Sequence, residues 1–296
     1  MVTRNKSGIE PLKDILYRIS RLERGASLAR CMAYLHRRQI TAFFDTDVEC
    51  NQKETYLLTM SQDGLGLPTR KHYIDDAYQD VRDRYQTHLK TLFLKLGRNK
   101  REAAQAARNV LYIETRLAKA MLTPIEEDNP ELTHNPVLVT DCVSSHRFRL
   151  QNRFMNTDWR AYFTELGAME RFNITTLSKV TVDSTRYFNE VSSILNQTGL
   201  QTIKDYLVWQ SMSQLSPYLS TEYRNHHRAF FDQDLLGITE EKPLWQTVVE
   251  LTNDVFGERL SKFYIETHFQ ETTRTSISAK CERLKRAFQH RIQSLD

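Results

Sequence analysis

Glycine and proline are scarce in this chain, with nine glycines and seven prolines among 296 residues. An all-β sandwich or barrel needs many tight turns, and such turns depend on these two residues. Their scarcity therefore favours long helices joined by short connections. The rest of the composition, 40% apolar and 26% charged with a mean hydropathy of −0.56, is typical of a globular protein with a substantial core.

Long apolar runs are also missing. No window approaches the roughly 18 apolar residues that cross a bilayer, and the segment Met1–Lys6 lacks the apolar core of a signal peptide. We therefore expect no membrane segment, and we expect the chain as written to stay in the cytoplasm.

Cysteine is rare and scattered, at Cys31, Cys50, Cys142 and Cys281, and no two form a CxxC pair or another metal-ligand spacing. Cys31 and Cys281 lie within helical apolar patterns, which predicts buried thiols. A single disulfide remains open from sequence alone.

The histidines lack the spacing of a zinc hydrolase. Such an enzyme places two imidazoles four residues apart on a helix, with a glutamate beside them as general base. None of the nine histidines is followed by Glu. His226 and His227 are adjacent, and neighbours in a helix point about 100° apart. We interpret them as one imidazole in a polar patch and one on the surface.

Other catalytic signatures are missing too. There is no GxSxG motif, and Gly64-Leu65-Gly66 lacks the third glycine and the Lys-Ser/Thr of a phosphate-binding loop. We therefore assign no catalytic, cofactor-binding or metal-binding residue to this chain, and no cofactor.

The net charge of +4 is concentrated at the two ends of the chain. Residues 1–40 hold nine Lys or Arg against three acids, and residues 274–296 hold six against two. Because these charges fall at helical spacing among apolar residues, solvated helix faces are favoured over binding to nucleic acid. Nucleic-acid binding would require a steep dependence on salt.

A glycine and proline loop, Asp63–Pro68, separates a strand-like run from a helical pattern. Its glycines can adopt positive φ, and its proline ends the strand. Apolar residues then recur every three or four positions over 78–96 and again over 103–121, with Gly97 between them as a C-terminal cap. This predicts an antiparallel helix pair.

The remaining pattern is mostly helical. Two helices in the first forty residues are broken at Gly25, and residues 40–60 favour two short strands. Prolines interrupt the pattern over 123–157, which we interpret as a connector between a helical subdomain at 1–122 and another at 158–296. Later segments are predicted as a helix from Asp158 to Gly167, an extended segment at 173–182, a helix capped by Asp183 and running to 195, and helices at 200–215, 219–236, 244–268 and 276–292.

Glu114 lies on or beside the apolar face of the second helix of the pair. A carboxylate there is costly to bury unless an Arg, a Lys or a backbone amide pairs with it. A structural buried pair is the favoured interpretation, and a catalytic base is the alternative.

Six segments occur together in the order seen in a known family. They are Gly64-Leu65-Gly66-Leu67-Pro68 with Tyr73, Glu114–Ala118, Asp158-Trp159, Ile203–Trp209, the set Leu219, Tyr223, Phe230, Phe231 and Gly237, and the set Trp245, Gly257, Tyr264 and Phe269. Together they resemble the neprilysin-like zinc metallopeptidases, which include endothelin-converting enzyme and bacterial oligopeptidase O. The resemblance implies a mainly α fold, the multi-helix lobe of such a peptidase, with a small two-stranded β element near residues 40–60.

The departures from that family limit what the resemblance implies. Val248 replaces a cysteine that forms a disulfide in extracellular members, and the segment at 133–152 hardly matches. The family's HExxH and NAxY motifs do not occur up to Asp296, and neither does the ExxxD motif that follows HExxH in the family and supplies the third zinc ligand. The resemblance thus implies a lobe that admits small peptides to a cavity and holds no zinc ligand. The zinc lobe would come from missing sequence or from a separate chain.

Two functions remain open at this point. The first is the substrate-gating domain of a neprilysin-like metalloendopeptidase, inactive by itself. The alternative is a catalytically dead scaffold that binds peptides or proteins.

Overall fold

The computed structural model describes residues 2–50, 56–138, 158–167, 179–269 and 271–293. Most of these residues are helical, as the shortage of glycine and proline predicts. The helices are α1 (Val2–Ser7), α2 (Lys13–Ser20), α3 (Ala26–His36), α4 (Lys71–Ile74), α5 (Gln79–Lys95), α6 (Lys100–Ala120), α7 (Pro124–Glu127), α8 (Pro130–Thr133), α9 (Trp159–Leu166), α10 (Thr185–Gln197), α11 (Leu200–Leu215), α12 (Thr221–Arg228), α13 (Leu244–His268) and α14 (Glu271–Gln293). A π-helix, Ala229–Leu235, follows α12 directly.

The predicted helix pair is α5 and α6, which pack against each other. Gly97 has φ +86°, and the turn is closed by two hydrogen bonds, from Gly97 N–H to the Leu94 carbonyl and from Arg98 N–H to the Phe93 carbonyl. This is a Schellman cap. Asn99 then opens α6 with a capping box formed with Glu102. The glycine cap is the local signal from which the sequence predicted the end of α5, and the structure adds the cap at the start of α6.

The strands form one four-stranded sheet in the order β1-β2-β4-β3. Strands β1 (Phe44–Cys50) and β2 (Tyr56–Gln62) are antiparallel, which confirms the two-stranded element expected near residues 40–60. Strand β4 (Lys179–Val182) pairs parallel to β2, with Leu58 opposite Val180, and antiparallel to β3 (Asn135–Leu138). The element is therefore larger than expected, because two short segments distant in sequence complete it.

Several local predictions are corrected by the structure. Asp183 is not the cap of α10, because the Ser184 hydroxyl accepts the Tyr187 N–H at 3.2 Å, while the Asp183 carboxyl accepts the Gln62 N–H at 2.7 Å. The helix expected over 219–236 is α12 followed by the π-helix. The helix expected from 276 begins at Glu271.

The two predictions of buried cysteine thiols have different outcomes. Cys31 is buried, as predicted, and burial raises the pKa of its thiol to about 11. Cys281 is exposed, so that prediction was wrong. The segment 276–292 gave a helical period, but a period does not say which protein surface covers the helix.

The chain forms two compact units, residues 1–237 and residues 238–296. The first contains the sheet, α1 to α12 and a large buried core. The second contains α13 and α14, which carry many exposed apolar side chains. The subdivision into 1–122, 123–157 and 158–296 stays a prediction, and residues 139–157 of its connector lie outside the described residues.

Candidate functional site: a buried carboxyl that holds the glycine loop

Glu114 lies at the centre of the first unit. It belongs to the face of α6 that also carries Val110, Ile113 and Leu117, and its side chain is 0% exposed. Sequence reasoning placed it on this face correctly. A buried carboxyl is stable only if hydrogen bonds replace those it made with water.

Four donors lie within 3.1 Å of this carboxyl. Its Oε2 accepts from the Tyr73 hydroxyl at 3.0 Å and from the Tyr85 hydroxyl at 2.9 Å. Its Oε1 accepts from Trp209 Nε1 at 2.9 Å and from the Gly66 N–H at 3.1 Å. We call these five residues the Glu114 cluster. They come from α4, α5, α6, α11 and the loop, so one carboxyl connects four helices with the loop.

Of the partners expected for Glu114, the cluster contains the backbone amide and no Arg or Lys. A backbone amide does bind Glu114, but its other partners are two phenols, an indole and, at 3.5 Å, the side-chain amide of Gln210, not a cation. Burial raises the pKa of Glu114 to about 8, against the opposing effect of hydrogen bonds from Tyr85, Tyr73, Trp209 and the Gly66 amide. The carboxyl is therefore mainly neutral at pH 7 and needs no counter-ion. In that form it carries a proton, which Oε2 can donate to one of the two phenol oxygens beside it.

The loop over this cluster, Asp63–Pro68, requires both of its glycines. A Cβ on Gly66 would lie 2.9 Å from Trp209 Nε1 and closer still to the Tyr85 hydroxyl. Gly64 has φ +101°, and a Cβ there would lie 2.8 Å from the Phe43 N atom. Glycine is thus selected at both positions by the close approach of the loop to the core.

Further hydrogen bonds hold the loop in place. The Leu67 N–H donates to the Tyr73 hydroxyl at 2.7 Å. The Gly64 carbonyl accepts from the Tyr206 hydroxyl at 2.8 Å and from Gln210 Nε2 at 2.9 Å. The segments of the resemblance around residues 64–73, 114 and 203–209 therefore meet in one place. Their shared task is to fix this loop.

The outer side of the loop borders a cavity of about 410 Å³, lined by residues that include Asp63, Leu65, Pro68, Arg70 and Glu127. Glu114 is not among the lining residues, and with no exposed surface it has no access to a substrate. The interpretation as a catalytic base therefore has no geometric support. Glu114 is a positioning residue for the loop.

A second cluster lies on the other side of Trp209. His88 on α5 stacks on His226 of α12, with ring centroids 4.1 Å apart and an angle of 5° between the rings. His88 also meets the edge of Trp209 at 5.7 Å and stacks on Phe230 at 4.9 Å. His227 stacks on Phe231 at 4.5 Å.

The predicted surroundings of the histidine pair were wrong. His226 lies in an aromatic cluster instead of a polar patch, and His227 is half-buried against a phenylalanine. Sequence reasoning missed His88 entirely. The sequence signal for a buried His88 is its position on the helix, because it lies beside Leu89 and one turn after Tyr85 on the buried face of α5.

The described residues do not fit a zinc ion. They contain no group of three or more His, Cys, Asp or Glu side chains placed to hold a metal. The stacked rings of His88 and His226 are parallel, so their nitrogen lone pairs do not converge on one point. Glu114 is already engaged by four donors, and no chemical step is assigned to zinc in this chain.

Taken together, the described structure is that of a mainly helical lobe with a small mixed sheet, built around a glycine loop held on a buried carboxyl. The chain belongs to peptidase family M13, because the model of that family's N-terminal part matches residues 1–296. This agrees with the resemblance found in the sequence.

Curated relatives agree with the assignment. The chain is 25% identical over 248 residues to an endothelin-converting enzyme homolog of Locusta migratoria, covering 81% of this chain and 33% of the relative. It is 22% identical over 247 residues to neprilysin-3 of Drosophila melanogaster, covering 81% of this chain and 30% of the relative. The chain therefore spans about a third of the length of these relatives.

Solved structures show the same fold. The open state of the Mycobacterium tuberculosis zinc metalloprotease Zmp1 matches with a TM-score of 0.83 at 23% identity, over 98% of this chain and 44% of that protein. PepO of Lactobacillus rhamnosis matches with a TM-score of 0.70 at 16% identity, over 94% of this chain and 42% of that protein. Among the described residues, no helix is both long and apolar enough to span a membrane.

Proposed function

We propose that this chain is the substrate-gating lobe of a neprilysin-like metallopeptidase and does not hydrolyse peptides by itself. The observation that carries the proposal is the match of nearly the whole chain to less than half of a zinc metalloprotease. The match covers 98% of this chain and 44% of that protein. The catalytic zinc lobe would be supplied by further sequence or by a separate chain, and small peptides would be the substrates.

The second unit supports the need for a partner lobe. Its two helices expose large apolar side chains such as Trp245 (68% exposed), Phe263 (67%) and Phe288 (63%). Apolar side chains in this number on one pair of helices usually mark a surface that associates with other protein. A catalytic lobe is the partner we propose for this surface.

The first experiment tests inactivity. The purified chain is incubated with zinc and a fluorogenic peptide of about ten residues, and we expect no turnover above buffer. Turnover that survives repurification and is abolished by a chelator would overturn the proposal.

The second experiment tests gating. The chain is mixed with a separately produced M13 catalytic lobe, and cleavage of a short peptide is compared with cleavage of an unfolded protein such as casein. We expect the chain to suppress casein cleavage while peptide cleavage persists. The double substitution Trp245→Ala and Phe263→Ala on α13 should abolish the suppression. Tyr112→Ala removes an exposed aromatic side chain from α6 and is the matched control. Equal cleavage of casein with and without the chain would refute the gating role.

The same exposed surface favours one alternative, a catalytically dead scaffold that binds peptides or proteins. Calorimetric titration of the chain alone with short apolar peptides separates the two functions. Saturable binding without any catalytic lobe, lost in the Trp245→Ala and Phe263→Ala variant, would favour the scaffold. The cytoplasmic location expected from sequence stays a prediction.

A further inference from the structure

The segment Thr221–Leu235 packs against α5 near the end of the first unit. This segment comprises α12 and the π-helix, and it ends just before Gly237, the last residue of the unit. We call it the clasp segment. A π-helix is rare and is frequently found where a segment has a functional role.

The clasp segment is held by aromatic contacts that include two imidazoles. His88 is 7% exposed and lies between His226 and the edge of Trp209. The Nε2 atom of His226 is buried and has no hydrogen-bond partner. Two imidazoles stacked face to face at 4.1 Å in a poorly solvated site cannot both be charged without strong repulsion.

We propose that the stacked pair His88 and His226 is an acid-sensitive clasp, and that protonation of these rings releases the segment Thr221–Leu235 from α5. Release would expose Phe230, which is now buried, and would free the part of the chain that leads into the second unit. This inference does not depend on the gating proposal, since it concerns only the stability of one segment within the first unit.

The charged and titratable groups around the pair act in both directions, and the neighbouring His227 disfavours a positive charge on either ring. Lys95 on α5 lies near His226 and disfavours a further positive charge, while Glu222 on α12, ion-paired with Lys95 at 2.7 Å, offsets part of that effect. Asp232 of the π-helix favours the charged form of His227. Trp209 lies between the histidine pair and Glu114 on α6 and donates its Nε1–H to that carboxyl. Because the carboxyl is mainly neutral, it supplies little negative charge to offset a protonated imidazole.

Desolvation by burial is the largest effect on the pKa of both His88 and His226. It lowers the pKa of His88 to about 2 and that of His226 to about 4. A solvated imidazole titrates near 6.5, so opening the clasp takes up protons below that pH. From these values the equilibrium constant for opening should increase about 20-fold for each released imidazole when the pH falls from 7 to 5.

Hydrogen exchange of the full chain at pH 7 and pH 5 tests the clasp, with rates converted to protection factors. We expect protection in residues 221–235 to fall several hundred-fold, while α6 keeps its protection over the same range. His226→Phe keeps a stacking ring but cannot titrate, and it should reduce the loss to about 20-fold. Combining it with His88→Phe should leave only the response of His227, whose pKa burial also lowers.

His134→Phe, at an exposed position, is the matched control and should behave as the wild type. If His226→Phe fails to fold by circular dichroism, His88→Phe alone provides the same comparison. The proposal is overturned if α6 loses protection together with residues 221–235, or if both phenylalanine variants respond to acid as the wild type does.

Discussion

The close approach of the loop to the core makes Gly66→Ala the sharpest test of the Glu114 cluster. The added Cβ would lie 2.9 Å from Trp209 Nε1, 3.0 Å from Glu114 Oε1 and nearer still to the Tyr85 hydroxyl. None of these groups is the free end of a flexible side chain, because Tyr85, Trp209 and Glu114 are all fully buried. The loop or the cluster must therefore move.

The cost can be worked from two effects. Overpacking a buried site costs about 1–3 kcal/mol, and leaving a buried polar group without its partner costs about 1–3 kcal/mol more. We expect Gly66→Ala to lower the free energy of unfolding by about 2–6 kcal/mol, a large share of the roughly 5–15 kcal/mol that stabilises a typical domain. Urea unfolding followed by circular dichroism at 222 nm measures this loss.

Gly199→Ala is the matched control. It also lies outside a helix interior, and the nearest atom to its added Cβ is 3.9 Å away. We expect it to change the free energy of unfolding by less than about 1 kcal/mol. Tyr85→Phe removes the hydroxyl that the new Cβ meets first, so it should restore part of the loss when combined with Gly66→Ala. Equal effects of the two alanine substitutions would refute the reasoning.

Three further predictions concern charge and capping. Glu114 has a pKa of about 8 in the folded chain, raised above its unfolded value of 4.5. Its contribution to the free energy of unfolding is therefore full below pH 4.5 and is lost as the pH rises through 8. We expect the free energy of unfolding to fall by about 1 kcal/mol between pH 7 and pH 8, and Glu114→Gln to flatten that slope; an unchanged slope in the variant would contradict it. Asp205 is 1% exposed and forms an ion pair with Arg98 at 2.7 Å. Arg98→Ala should therefore lower the free energy of unfolding in urea by about 3 kcal/mol. Arg84→Ala, which breaks an exposed ion pair with Asp234, should cost less. Ser184→Ala removes the cap of α10 and should cost about 1 kcal/mol, and a loss from Asp183→Ala without one from Ser184→Ala would restore the cap predicted from sequence.

The helices were predictable because their signals are local. The period of apolar residues in α5 and α6, the αL glycine at Gly97 and the Asp158 cap of α9 each act within a few residues of the chain. The cap of α10 was misplaced by one residue because Asp183 and Ser184 are both good caps. Only the position of Gln62 on β2 shows which of the two is already engaged.

The site was less predictable than the fold. Glu114 could be placed on a buried face, but its donors are separated from it by 29 to 96 residues along the chain. The stacking of His88 on His226 joins two helices in the same way, and no spacing within either helix indicates it. A hydrogen bond or ring contact between distant segments leaves no period in the sequence.

The sequence by itself determined that this chain is a mainly helical lobe of a neprilysin-like peptidase, since helix period, turn glycines and family motifs are all written in short segments. The tertiary structure alone decided that β3 and β4 complete the sheet, that a neutral carboxyl without a cation holds the glycine loop, and that two imidazoles stack beside it. The physical reason is burial: the environment of a polar group depends on which distant surfaces exclude water from it, and only the folded chain brings those surfaces together.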